Sequence, residues 1–263
     1  MKKFLSMIAA VSLLAASLSA CGASSTTSTT AAQSGKEYKV AIVQQLDHAS
    51  LDEIRVAIEA ELEAKAAEKG IAIAYKDFNG QNDATVLNQI GAQVVSDGYD
   101  AIIPIATLAA TTMATATEDN QIPVIYAAIS DPGEAQLTGI ANVTGTSDAL
   151  NTAFILDMML KANPDIETVG LLYSNSEANS VTPIREAKEY LDSKGIAYLE
   201  KTGNTSGEIV EAAASMVGRV DAVFTPTDNV VMAAEVTVAE TLNEAGIPHY
   251  TGADSFVAAG AFA

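Results

Sequence analysis

The chain has 263 residues, 49% of them hydrophobic and 18% charged, a length that suits about two domains with ample material for their cores. Lys and Arg number 14 against 33 Asp and Glu, and the net charge of −19 argues against a nucleic-acid partner, whose affinity rests on basic side chains. One Cys and two His exclude an ordinary Cys/His zinc site and an internal disulfide, so no metal and no cofactor is expected.

At the N-terminus, Lys2 and Lys3 precede an apolar stretch from Phe4 to Leu18 that is too short for a membrane span. A basic start, an apolar middle and small residues at the end mark residues 1–20 as a secretory signal. The cut site Leu18-Ser19-Ala20-Cys21-Gly22 resembles the lipobox of bacterial lipoproteins. That resemblance implies that Cys21 is acylated and becomes the first residue of the mature chain; the alternative is a plain signal that ends near a Cys. Residues 21–37, rich in Ser and Thr, read as a flexible tether. Two or more acyl chains on Cys21 would hold the protein at the cell membrane, outside the cytoplasm.

The folded body starts near Tyr38. Lys39–Gln44 predicts a strand, and Leu51, Ile54, Ile58 and Leu62 put one apolar stripe on a helix that ends at Lys69-Gly70. Ile71–Asp77 is the next strand, and Asp83 caps a helix carrying Val86, Leu87, Ile90 and Val94. Ala101–Ala106 is apolar on both faces, as expected inside a parallel sheet. Thr107 starts a third helix, and Pro123–Ala127 gives a fourth strand. Ser130–Ser147, with Pro132 and three Gly, interrupts the pattern and reads as a connection. The alternation restarts with helix Leu150–Lys161, strand Thr168–Tyr173, helix Val181–Lys194 and strand Ala197–Lys201. Helix Glu208–Val217, strand Ala222–Thr225, helix Val230–Glu244 and strand Pro248–Thr251 follow. The fold class is therefore α/β: two Rossmann-like, doubly wound parallel-sheet lobes, residues 38–145 and 146–263, with helices on both faces.

In such sheets, ligands bind outside the carboxyl ends of the strands. In the first lobe those positions hold Gln44, His48, Thr107 and Ser130. In the second they hold Asn175, Ser176, Glu177 and Asn179, then Asp228 and Asn229, then Asp254. Capping alone explains part of this set, Thr107 included, because Ser, Thr and Asn cap helices wherever such loops occur. It does not explain Ser174-Asn175-Ser176-Glu177-Ala178-Asn179-Ser180, where one cap is enough. Asp131 before Pro132 reads as a turn residue, His249 as structural, and Met113, Met158 and Met159 as core.

The stretches KVAIVQQLDHASLDE, IIPIATLAATTM, SDP, NVTGTSD, GLLYSNSEANS, FTPTDN and GAD resemble the ABC-transporter substrate-binding lipoprotein family. More narrowly, they are similar to its branch linked to tryptophan and other aromatic amino acids. The likeness runs from about Tyr38 to Ala263, with YSNSEANS and TPTDN its most specific pieces. It implies a clamshell of the type I periplasmic-binding-protein kind, which takes a small solute outside the cytoplasm and delivers it to a membrane permease. It also implies a chain that continues past Ala263, so the second lobe is expected to be incomplete. Strand Pro248–Thr251 is then left without a covering helix.

The residues themselves suit an amino acid. Helix N-termini such as that at Thr107 favour a carboxylate, and no Lys or Arg lies in the strand-end loops. The ammonium needs an acceptor, and Asp228 is the expected one, with Asp254 and Glu177 as alternatives. His48 is placed to edge an aromatic side chain. Two other readings stand beside this one. A hydrolase could use Asp228 and Asp254 as an acid–base pair, although no Gly-x-Ser-x-Gly elbow, GxGxxG or phosphate loop is present. A sugar or signalling-molecule binder shares the fold; the chain has no Trp, but Tyr126, Tyr173 and Phe224 end strands and are available for stacking.

Overall fold

The computed structural model describes residues 36–263; the signal sequence, Cys21 and nearly all of the tether lie outside the described residues. The first lobe runs β1 (Glu37–Gln44), α1 (Ala49–Lys69), β2 (Ala72–Asn79), α2 (Ala84–Ser96), β3 (Ala101–Ile105), α3 (Thr107–Ala116), β4 (Val124–Ile129) and β5 (Val143–Ser147). Its parallel strands lie in the order β2-β1-β3-β4-β5. β1 shows why this sheet is sandwiched. Ala41 and Val43 pack on one face with Leu87 and Ile102, while Ile42 packs on the other with Leu51 and Ile105. Strand side chains alternate between faces, so a continuous apolar run needs cover on both. Asp83 caps α2 by accepting from the Thr85 and Val86 amides, and Gly70 ends α1 in the left-handed region at φ 63°.

The second lobe runs α4 (Thr152–Ala162), β6 (Thr168–Tyr173), a 3-10 turn (Ala178–Ser180), α5 (Val181–Lys194), β7 (Ala197–Thr202), α6 (Ser206–Ala214) and β8 (Ala222–Thr225). It is completed by α7 (Asn229–Met232), α8 (Glu235–Glu244), β9 (His249–Thr251) and α9 (Asp254–Ala259). The parallel order is β7-β6-β8-β9. Phe224 and Leu171 face one apolar layer with Leu156 and Leu191, and Val223 and Leu172 face another with Val238 and Leu242.

Three expectations are corrected. The stretch read wholly as a connection contains β5, an edge strand whose sequence VTGTS carries no apolar alternation. Gly145 there is a close approach rather than a break, since a Cβ would stand 2.1 Å from the Tyr126 carbonyl oxygen. The helix expected over Val230–Glu244 is two helices, α7 and α8. The second begins with Glu235, which is buried because it meets the ring of His249 at 3.0 Å. Finally, β9 is not left bare. It is followed by α9, whose Phe256 is buried against the His249 ring, and the amides of Phe262 and Ala263 donate to the His249 carbonyl. Six residues are too few to show a helical period, so α9 leaves no pattern in the sequence.

Candidate functional site

Both sheets change winding direction at their second and third positions, between β1 and β3 and between β6 and β8. Loops leaving these switch points diverge and leave a crevice. The two lobes pack as one unit, and side chains from the two crevices meet. Gln45, just after β1, donates from Nε2 to Glu177 Oε1 at 2.8 Å. His48 Nε2 lies 3.0 Å from Asn229 Oδ1, Ser130 Oγ 3.1 Å from Thr227 Oγ1, and Ser50 Oγ 2.5 Å from Ser255 Oγ. At the margin, Thr182 donates to Asp131 at 2.9 Å. Asp131 is thus both the turn residue expected and a contact between lobes, its carboxyl held low by the Glu134 amide and the Thr182 hydroxyl.

A cavity of about 370 Å³ lies behind these contacts. Its wall carries polar residues, among them Thr107, Ser130, Asp148, Asn179 and Asn229, and apolar ones, among them Leu51, Ile54, Met232 and Phe256. The wall includes two non-glycine residues in the left-handed region, Ala106 at φ 75° and Ala128 at φ 58°. Such strain persists where the surroundings impose it, commonly at ligand clamps. Ala106 is the N-cap of α3 and provides no capping side chain; Gln45 Oε1 accepts from the Leu108 amide instead, at 2.9 Å. Among the described residues, Thr107 Oγ1, Asn179 Oδ1 and His48 Nδ1 are buried without a hydrogen-bond partner. Burial pushes the Asp148 carboxyl up and the His48 imidazole down.

Of the residues chosen from sequence, His48, Thr107, Ser130, Asn179, Asp228, Asn229 and Asp254 come together on this wall. The others lie elsewhere. Gln44 turns its amide to the Leu46 carbonyl and Asp52 within its own loop, Asn175 reaches Thr202 on β7, and Ser176 bonds Ser174. Glu177 lies behind the wall as a link between lobes. The expectation for Asp228 is corrected. Its Oδ1 takes the Val230 and Val231 amides, and its Oδ2 takes the Ser174 amide and the Ser180 hydroxyl. A carboxylate has about four acceptor sites, so these donors fill it and leave none for an ammonium. Tyr126, Tyr173 and Phe224 are absent from the cavity wall; Phe224 is wholly buried in the core.

Sequence reasoning missed Gln45. Gln44 ends β1 and Gln45 follows it, and the alternation of extended backbone sends their side chains to opposite faces; Gln45, fully buried, is the one that crosses to the second lobe. Among the described residues, no group of three His, Cys, Asp or Glu is placed to hold a metal, and no helix is long and apolar enough to cross a membrane.

Residues 39–263 match the family described as ABC transporter substrate binding protein. A tyrosine-binding protein of Clostridioides difficile (strain R20291) is 32% identical over 271 aligned residues, covering 100% of this chain and 78% of that protein. The solved structure of an ABC domain from Streptococcus pneumonia in complex with L-Trp has a TM-score of 0.79 at 32% identity, covering 86% of this chain and 77% of that one. A conserved domain protein from Vibrio cholerae gives 0.80 at 28% identity, with the same coverage of 86% and 77%. The two parallel lobes are those of a type I periplasmic binding protein.

Proposed function

The chain belongs to the ABC transporter substrate binding protein family, and on that premise we propose that its cavity captures a free amino acid with a large apolar, aromatic side chain. Members of this family act outside the cytoplasm and hand their solute to a membrane permease. The observation that carries the reading is the mixed polar and apolar lining of the cavity. Polar groups without partners among the described residues stand at the strand ends of both lobes, and Leu51 and Ile54 of α1 with Met232 and Phe256 of the second lobe line the same cavity. Its volume is at the small end of the range for ligand pockets, which suits one amino acid.

The carboxylate goes to the N-terminal end of α3, where Thr107 supplies a hydroxyl and Ala106 supplies no competing cap. The ammonium goes to acceptors with free capacity, Asn179 Oδ1 and His48 Nδ1, in place of the filled Asp228. The ring lies among Leu51, Ile54, Met232 and Phe256. Names of relatives support the class, since one is called tyrosine-binding and another holds L-Trp. Binding without chemical change is the reading supported by the family and by the hydrogen bonds of the wall, where His48 bonds Asn229 and Ser50 and Ser130 bond Ser255 and Thr227. A thermal-shift panel tests this: tryptophan, tyrosine and phenylalanine raise the melting point, and sugars do not. A response confined to sugars contradicts it.

The anchoring belongs to the same proposal. The lone Cys after Leu18-Ser19-Ala20 supports acylation at Cys21, which holds the protein at the membrane that carries the permease. Cys21→Ala moves the protein out of the membrane fraction or leaves it unprocessed. Fractionation identical to the unaltered chain contradicts the anchor.

A further inference from the structure

We propose that His48 reads a hydrogen-bond donor of the captured solute through Nδ1, and that Glu177, behind the cavity wall, sets the ring's proton through Asn229. The chain of bonds is fixed from its far end. The Leu108 amide can only donate, so it holds Gln45 Oε1 as an acceptor and leaves Gln45 Nε2 to donate. That nitrogen serves Glu177 Oε1 at 2.8 Å and Asn82 Oδ1 at 2.8 Å. The other carboxylate oxygen, Glu177 Oε2, accepts from Asn229 Nδ2 at 2.6 Å, which turns Asn229 Oδ1 toward His48. An amide oxygen only accepts, so His48 Nε2, 3.0 Å away, carries the hydrogen.

A neutral ring with its hydrogen on Nε2 has a lone pair on Nδ1. That atom is buried and has no partner among the described residues. It is not spent on the helix, because His48 precedes α1 without capping it by its side chain. His48 lines the cavity, so its unfilled acceptor asks for a donor on the solute. Which donor that is rests on the amino-acid reading, where it is the ammonium. Glu177 is a positioning residue, since it touches Asn229 and Gln45 and does not line the cavity.

Glu177→Gln tests the relay. Gln45 offers only a donor, so the new side chain keeps its oxygen toward Gln45 and turns its amide nitrogen to residue 229. Asn229 then flips, its nitrogen faces His48 Nε2, and the ring's hydrogen moves to Nδ1. Imidazole nitrogen chemical shifts at pH 8 read the tautomer directly. The chain has two His, and the signal absent in His48→Asn identifies the right one. The unaltered chain is expected to show the Nε2–H form and Glu177→Gln the Nδ1–H form. An Nδ1–H ring in the unaltered chain overturns the proposal even if the variant does not fold, and an unchanged tautomer in a folded variant overturns the relay.

Titration with L-tyrosine and with 3-(4-hydroxyphenyl)propionate, which lacks the ammonium, tests the contact. Glu177→Gln is expected to weaken tyrosine about tenfold or more, a hydrogen bond to a charged group being lost, and to leave the analogue within about twofold. Equal losses for both overturn the contact. If the unaltered chain binds neither compound, the amino-acid reading fails, while the tautomer spectra still decide the relay.

Discussion

Replacing Asp228 with Asn is expected to destabilise the protein by about 2–3 kcal/mol, the cost of leaving a buried donor unpaired. Asp228 is fully buried, and its two oxygens accept from the Val230, Val231 and Ser174 amides and the Ser180 hydroxyl. Asn keeps one oxygen, which serves the α7 cap as well as Asp does. Its nitrogen then faces the Ser174 amide, two donors with no acceptor between them. The Ser180 hydroxyl can turn and accept, so the Ser174 amide bears most of the loss. Urea denaturation reads this as a lower midpoint. An unchanged midpoint together with lost amino-acid binding would show that Asp228 serves the ligand and that its bonds to the protein are dispensable.

The folded state is also expected to weaken as pH rises from 4.5 to about 7. Burial, and secondarily the Asp228 carboxyl beside it, push Glu177 up from 4.5 to about 7. Burial pushes Asp228 up as well. A carboxyl with a raised value in the folded state contributes stability that is fully present below its unfolded value and is lost as pH rises through the folded one. For Glu177 the window is therefore 4.5 to about 7, and the loss is about 3 kcal/mol at roughly 1.4 kcal/mol per unit. Asp148, also raised by burial, adds to the same trend. His48, lowered by burial, acts in the opposite sense, contributing stability above its ordinary value that is lost as pH falls through the depressed one. The difference in stability between the unaltered chain and Glu177→Gln reads the contribution of Glu177 together with its coupling to Asp228. It should shrink by about 3 kcal/mol across the window; a difference independent of pH contradicts the assignment.

Much of the architecture was legible because doubly wound folds write themselves in period. Runs such as VAIV in β1 and AIIPI in β3 are apolar on both faces, and the helices between them carry stripes. What was lost lacked period or length: β5 is a polar edge strand, α9 has six residues, and the α7–α8 break stands just before Glu235, which is buried against His249 across 14 residues. The site was legible to the level of loops. The rule that ligands sit at strand ends brought His48, Thr107, Ser130, Asn179 and Asn229 to one wall. It could not choose between Gln44 and Gln45, whose side chains part at the end of β1, nor see that four donors of the same lobe saturate Asp228. The apolar lining was invisible for a different reason. Leu51 and Ile54 belong to the same stripe that packs α1 on its sheet, so nothing in their spacing distinguishes a ligand wall from core.

Hydrogen exchange of the protein with and without excess L-tyrosine tests the central claim, that one solute is held by both lobes in the cavity between them. Slower exchange is expected at residues 106–108 in the first lobe and at residues 227–229 and 253–255 in the second, appearing together over one saturable range. Protection confined to a single lobe, or centred on the surface groove between Thr111 and Ile140, would contradict it.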